Sequence, residues 1–190
     1  GPRGELAARL DLSISNYHGR RLRARIDTPE WNGFSASVTY LHDEERGSVR
    51  NLTPGVEWDF TRRSNGIVGK IVSAKTLGMR NVDAVEAAVR FDNGGPLKLD
   101  YRFDYTDRDA TQAAVQVLGF TEGSGGAAAR GIYAAQPALG GMNIVSTKRL
   151  GAVANDMMSL NVLRVFGHSL TASYALSDTI EVKNIAAWRG

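Results

Sequence analysis

The chain has 190 residues, 43% of them hydrophobic, with 23 Lys and Arg against 20 Asp and Glu and no cysteine. That is long enough to bury an ordinary core, so composition leaves both a soluble domain and a membrane barrel open, since a barrel hides its apolarity in alternation. It excludes a disulfide framework and thiolate chemistry, and it excludes a helical membrane protein, because no apolar run approaches the ~20 residues that span a bilayer.

The first residues, GPRGELAARLDL, lack the basic start, apolar middle and small-residue cleavage site of a signal peptide and pass almost at once into a strand over 5–15. There Leu6, Ala8, Leu10, Leu12 and Ile14 alternate with Ala7, Arg9, Asp11, Ser13 and Ser15, the period of a strand with one oily and one wet face. After the turn NYHG (16–19) a second strand is predicted over 20–28. Leu22, Ala24 and Ile26 alternate with Arg21, Arg23, Arg25 and Asp27, and Arg20 sits at the turn. This RRLRAR cluster is a solvated or lumen-facing strand face rather than a phosphate-binding patch, because no stacking aromatics or reading helix accompany it; no nucleic-acid partner is expected. PEWNG (29–33) is a turn, and 34–43 a third strand with Phe34, Ala36, Val38 and Tyr40 on one face.

A long connection follows over 44–80. Strands over 81–92 and 97–107 flank the turn NGGP (93–96). In the second of them Leu97, Leu99, Tyr101, Phe103 and Tyr105 alternate without a fault with Lys98, Asp100, Arg102, Asp104 and Thr106. A second long connection covers 108–161; within it TQAAVQVLG (111–119) reads as either a short helix or an irregular lid segment. Strands over 162–176 and 180–189, joined at LSDT (176–179), complete the chain. Both termini read as cut.

About seven strands of roughly ten residues emerge, the length needed to cross a bilayer when tilted. An up-and-down meander sends successive connections to opposite ends of the sheet, so the short turns gather at one end and the long loops at the other, the polarity of an outer-membrane barrel. NYHG, short but on the long-loop side, departs from that trend. Aromatic girdles fit the same picture: Trp31, Phe34, Phe91 and Leu97 near the short turns, Tyr40, Phe103, Tyr105 and Trp188 toward the other end.

Chemistry is sparse. His18, His42 and His168 belong to separate strand ends and read as unrelated surface histidines, so no metal site is expected. Asp43, Glu44 and Glu45, like Asp107 and Asp109, lack the regular ligand spacing of a calcium loop and read as a solvated loop entry. GSGG (123–126) is not followed by the Lys-Ser/Thr of a phosphate loop. No nucleophile, base and orienting acid assemble, so neither an enzyme nor a cofactor is expected.

The segment ARLDLSISNYHGRRLRARIDTPEWNGFSASVTYLHDEERGSVRN resembles the early barrel strands of TonB-dependent outer-membrane receptors, which typically run through a strand, a "GNY" turn, an Arg-rich return strand, a short turn, and a "LAARLSY...RDGYVKN" strand leading into a loop. The matching residues are Asn16 and Tyr17, Arg21 to Arg25, Phe34 to Tyr40, and Arg46, Gly47, Val49 and Asn51. LTASYALSDTIEVKNIAAWRG is similar to that family's strand, "LSD" turn and "ltvKNItAwR" strand, and LKLDYRFDYTDRD also fits. Such receptors have an N-terminal plug domain, an energy-coupling box and about 22 strands, whereas plug, box and most strands are missing here.

The resemblance therefore implies an all-β fold over 1–190, an open section from the N-terminal part of a transmembrane barrel in the bacterial outer membrane. Its partners would be lipid, the plug domain and remaining strands of the same receptor, the TonB energy-coupling complex and a small-molecule ligand, an iron chelate or other organic nutrient. Arg21, Arg23, Arg25, Asp100, Arg102 and Asp104 would face the lumen and contact the plug. Trp58, Phe60, Arg62, Arg63, Arg130 and Tyr133 in the long loops are candidate ligand contacts, beside the plainer reading of hydrated loop decoration. A passive porin-like or structural barrel wall needs the same strands without a plug, and a soluble β-rich domain would turn half the alternation into an internal core.

Overall fold

The computed structural model describes residues 1–134, 145–157 and 159–190. In chain order its elements are β1 (Ala7–Ser15), β2 (Gly19–Asp27), β3 (Phe34–Glu45), β4 (Val49–Asn51), β5 (Glu57–Asp59), β6 (Lys70–Val72), β7 (Thr76–Leu77), β8 (Arg80–Asp92), β9 (Leu97–Thr111), α1 (Ser124–Ala134), β10 (Ala152–Val153), β11 (Leu160–Ser177) and β12 (Ile180–Arg189). They fall into two units.

The first unit, Gly1–Glu45, Asn81–Asp109 and Val162–Gly190, is a seven-stranded sheet in the order β1-β2-β3-β8-β9-β11-β12. Each long strand lies beside the next long strand of the chain, so the sheet is an antiparallel up-and-down meander, left open with β1 and β12 at its edges. Register is continuous from Ala7↔Asp27 to Ser15↔Gly19 and from Arg20↔Glu44 to Asp27↔Ser37. The chain leaves after β3 and after β9, at the same end of this sheet, to make its two long excursions. Arg20, expected at a turn, is already in β2, opposite Ile14 and Glu44.

The turns follow local chemistry. Asn32 and Gly33 have φ of 50° and 82°, and Trp31 and Phe34 exchange both backbone hydrogen bonds around them at 2.8 and 2.9 Å, an Asn-Gly type I′ hairpin that matches strand twist. A Cβ on Gly33 would meet Asn93 Cβ at 2.8 Å, so this glycine serves both the turn and a close backbone approach. The NYHG turn also uses positive φ, without glycine at its centre: Tyr17 and His18 sit at φ 59° and 57°, and the Gly19 N–H donates to the Asn16 carbonyl at 3.2 Å.

The second unit, Arg46–Arg80 and Ala110–Asn161, holds a three-stranded sheet, β10-β4-β7, in which β10 runs parallel to β4, and a separate β5–β6 hairpin. Val49, Leu77 and Val153 bury against one another, with Ala114 and Leu150 packed on them. Asn51, 3% exposed, is the polar counterpart of that core. Its Nδ2 donates to the carbonyls of Ala74 and Asn155 (2.8 and 3.1 Å), and its Oδ1 accepts from the backbone N–H groups of Thr53 and Asn155 (3.2 and 3.0 Å). One side chain thereby ties strand, loop and a residue about a hundred positions away.

The segment 112–119 is not helical. Gln116 holds it extended: its Nε2 donates to the carbonyls of Ser146 and Lys148, and its Oε1 accepts from the Leu150 N–H. The helix forms later, as α1, where Ser124 follows Gly123 at φ 100° and an alanine run supplies helix propensity.

Candidate functional site

The alternation becomes two unlike faces of the sheet. On one stand Leu10, Leu12 and Ile14 of β1, 61%, 69% and 88% exposed, continued by Ile26, Val38, Val89, Tyr101, Leu170, Tyr174 and Val182 on later strands. Two aromatic groups bound it. Phe34 and Phe91 meet at 4.7 Å near the short turns. Toward the other end Phe103 and Trp188 join Phe166 and His168, with Phe103–His168 at 5.1 Å and Phe166–Trp188 at 4.9 Å, and the Tyr101 hydroxyl lies 2.6 Å from His168 Nδ1. Beyond the second group the same face turns polar. Asp83 accepts from the Tyr40 hydroxyl at 2.6 Å and stands 2.9 Å from His42 Nδ1, and Arg164 pairs with Asp107 at 3.1 Å.

The opposite face is charged and hydroxylated. Arg25, Arg23 and Arg21 oppose Arg9, Asp11 and Ser13 on β1. On β3 the same face carries Ser35, Ser37 and Thr39, all buried, and at the end of β2 Asp27 is 2% exposed, gripped by Arg25 Nε and Nη2 at 2.7 Å each. Asp104 of β9 crosses β11 to reach Arg189 of β12 at 2.7 Å. It can do so because position 167 is glycine: a Cβ there would come within 2.7 Å of Asp104 Oδ1. A hollow of about 250 Å³ opens on this face, lined among others by Arg21, Arg23, Thr39, Glu86, Asp104 and Thr106.

All six residues expected to face a lumen thus have the strand parity of this polar face, and the hollow gathers Arg21, Arg23 and Asp104 from two strands. The expected loop contacts are gathered less completely. Trp58 and Phe60 stack with centroids 6.5 Å apart, and Arg62 and Arg63 are exposed in the turn that follows. Arg130 is elsewhere in α1, its guanidinium 5.8 Å over the Phe120 ring, and the Tyr133 side chain lies outside the described residues. In this hairpin Lys70 donates to Glu57 at 2.7 Å, and that bond, with the charge beside it, raises the ammonium's pKa. Asp59 is held below the usual carboxylate range by the Thr61 hydroxyl and backbone N–H.

His18 stays at a turn tip, His42 beside Asp83 and His168 among the aromatics. No three His, Asp or Glu side chains converge as metal ligands among the described residues. Sequence reasoning missed the Asp104–Gly167–Arg189 crossing and the Glu86 contribution to the hollow. An isolated glycine inside a strand pattern was the available signal for the first, since such a glycine marks close approach of another group.

An open, antiparallel, two-faced meander with its long excursions at one end is the architecture of a section of a β-barrel wall. Solved structures carry the same arrangement. The chain aligns over 99% of its length with 21% of the siderophore receptor PiuA from Acinetobacter baumannii, at a TM-score of 0.63 and 10% identity. It aligns over 100% of its length with 23% of the ferric yersiniabactin uptake receptor FyuA from Yersinia pestis, at a TM-score of 0.63 and 15% identity. The chain therefore spans between a fifth and a quarter of these receptors, and at such identity the likeness is one of fold. No family model and no curated protein matches the sequence.

Proposed function

We propose that this chain is a section of the barrel wall, with its outer loops, of a TonB-dependent outer-membrane receptor that takes up a scarce ligand, an iron chelate or other organic nutrient, by energy-coupled transport. The observation that carries this reading is the inverted burial of the sheet, which exposes Leu10, Leu12 and Ile14 while burying Ser35, Ser37, Thr39 and Asp27. In water each exposed Leu or Ile forgoes the roughly 1.5–3 kcal/mol that burial contributes; in a bilayer those side chains meet hydrocarbon and the arrangement becomes favourable. The two aromatic groups mark the interfaces of that band, and the Asp83 and Asp107 ion pairs lie beyond it, in headgroup or water.

In this reading Arg21, Arg23, Arg25, Asp100, Arg102 and Asp104 face the lumen and a plug domain. Trp58, Phe60, Arg62 and Arg63 form an aromatic and basic hairpin at the cell surface, with Arg130 and Tyr133 as further ligand contacts. The free edges of β1 and β12 pair with the remaining strands, because unpaired backbone groups in lipid cost several kcal/mol each. The likeness in fold to PiuA and FyuA supports the assignment, and the TonB complex is the energy-coupling partner it implies.

Membrane fractionation of the full gene product tests this. The expected result is an outer-membrane protein with heat-modifiable gel mobility whose uptake stops when TonB is deleted. Uptake that persists without TonB would make it a passive porin. If residues 1–190 alone gave a soluble monomer that melts cooperatively, the apolar face would be an internal core and the receptor reading would be withdrawn.

A further inference from the structure

Charge divides unevenly between the two units. The loop unit, residues 46–80 and 110–161, carries ten Lys and Arg against four Asp and Glu, a net +6, whereas the sheet unit carries thirteen against sixteen, a net −3. An asymmetry of that size within one chain points to an anionic partner for the basic half. The β5–β6 hairpin is where this charge meets an apolar surface. Trp58 and Phe60 share one face of β5, stacked with centroids 6.5 Å apart; Ile71 stands opposite Trp58, and the Phe60 N–H donates to the Gly69 carbonyl at 3.2 Å. A Cβ on Gly69 would meet nothing within 4 Å, so this face is a flat shelf with one corner bare. Phe120, the remaining aromatic side chain described in this unit, is already covered by Arg130. The hairpin's two carboxylates have the opposite strand parity and are engaged: Glu57 accepts from Lys70 at 2.7 Å and Asp59 from the Thr61 N–H at 2.9 Å. Arg62 and Arg63, both exposed, close no ion pair among the described residues. They ride on a loop fastened from within. The Ser64 and Gly66 N–H groups donate to the Phe60 and Thr61 carbonyls at 2.9 and 2.8 Å, and Ser64 Oγ donates to the Val68 carbonyl at 2.7 Å while accepting from the Val68 N–H at 2.8 Å.

We propose that the β5–β6 hairpin binds an anionic aromatic ligand, its flat ring on the Trp58–Phe60 shelf and its ionised oxygens on Arg62 and Arg63. This deepens the receptor reading, from which it takes the hairpin as a ligand contact, by naming the chemistry of that ligand. The ring follows from the shelf, because aromatic faces stack offset on one another and an open glycine corner admits the approach. The sign follows from the charge: a basic unit draws anions toward it and repels cations, whatever their shape. Guanidinium groups donate to oxyanions in a planar fork and also lie flat against aromatic rings, so one ligand satisfies arginines and shelf together. The fastened loop presents both arginines on backbone that is ordered before binding, which lowers the cost of association. An aliphatic polyanion would leave the shelf bare. An aromatic cation would meet Arg62 and Arg63 as like charges.

Isothermal titration calorimetry on the full protein in non-ionic detergent at low salt tests it. Pyranine, a flat trisulfonated ring system, tricarballylate, an aliphatic trianion, and proflavine, an aromatic cation, separate the ring from the charge. Pyranine binds most tightly, by about tenfold over each of the others. Trp58→Ala brings pyranine down to the level of tricarballylate. That readout is a ratio within one protein, so a variant that folds less completely does not shift it. Arg62→Gln combined with Arg63→Gln weakens pyranine by about tenfold, whereas Lys75→Gln combined with Lys148→Gln, which removes the same charge elsewhere in the loop unit, weakens it by less than about twofold. Wild-type protein that does not bind pyranine, or binds tricarballylate or proflavine as tightly, overturns the proposal, as does a preference that survives Trp58→Ala. Equal losses in the two double variants overturn it by showing a diffuse field in place of a site, and binding of dextran sulfate without pyranine overturns it by showing a surface for polyanionic chains. Any of these results leaves outer-membrane residence and TonB dependence untouched, and a failed fractionation test leaves the calorimetry intact.

Discussion

The two units of this chain bury opposite things. In the loop unit Leu77 is fully buried beside Val49 and Val153, and the deeply buried amide of Asn51 has its hydrogen bonds satisfied, as buried polar groups in a core that folds against water do. In the sheet the buried side chains include Ser35, Ser37, Thr39 and Asp27, while leucines, isoleucines and aromatics stand exposed. On the proposed receptor reading the same chain follows two solvents' rules: the loop unit folds against water and makes a small apolar core, whereas strands already satisfied by their ladders leave their apolar residues for hydrocarbon.

The sharpest break of this contrast comes at Leu77. Leu77→Ala empties a site that is 0% exposed and should destabilise the loop unit by about 2–5 kcal/mol. Limited proteolysis should then cut within 46–80 far faster while the heat resistance of the barrel is unchanged. Leu12→Ala, at a position 69% exposed in the sheet, should leave that proteolysis unchanged. Val38→Arg comes next: midway along β3 between Phe34 and Tyr40, it places a charge on the apolar face, which costs about 2–4 kcal/mol at mid-bilayer, and heat-modifiable gel mobility should show failed assembly, whereas Arg102→Tyr assembles. Spin labels at 99, 101 and 103 should report lipid and those at 100, 102 and 104 water; uniform accessibility would remove the distinction between the faces.

Asn51→Ala strands the N–H groups of Thr53 and Asn155 that it now accepts from, a loss of about 1–3 kcal/mol. Hydrogen exchange at those two amides should rise before any change in the sheet. The Tyr17 and His18 turn offers a gain instead. Both residues hold positive φ, which costs bulky L-residues about 1–2 kcal/mol, so replacing them with Asn-Gly should raise the denaturant midpoint by an amount equivalent to about 1 kcal/mol.

The smallest effect is electrostatic. Asp59's pKa is lowered by Thr61, so its contribution to hairpin order is present above the unfolded carboxylate value of about 3.9 and is lost as pH falls through the folded one. Lys70's is raised by Glu57, so its contribution is present below the unfolded value of about 10.4 and is lost as pH rises through the folded one. Trp58 fluorescence should therefore stay flat between those limits and shift outside them.

The meander was legible because a strand's period is two and its side chains cannot choose their face independently: once Leu97 to Asp107 alternate, the ladder follows. Turn chemistry added the hairpins, most directly at Asn32-Gly33. The candidate loop contacts were legible only in part. Trp58 and Phe60 are close in sequence and do stack, but Arg130 found Phe120 instead, since nothing in a loop's composition says which distant segment it meets. The segment 111–119 shows the same limit: its helical possibility lost to Gln116, whose three partners lie about thirty residues away.

Local periodicity and turn residues, then, were enough to determine seven strands, their faces and the end from which the long loops leave, because each depends on neighbours a few positions apart. Only the tertiary structure decided that Asp104 would cross Gly167 to Arg189, that Asn51 would join Ala74 and Asn155, and that Arg21, Arg23 and Glu86 would share one hollow. Those meetings are set by strand register and by loops closing over tens of residues, and long-range pairing of that kind leaves no periodic trace in the order of the amino acids.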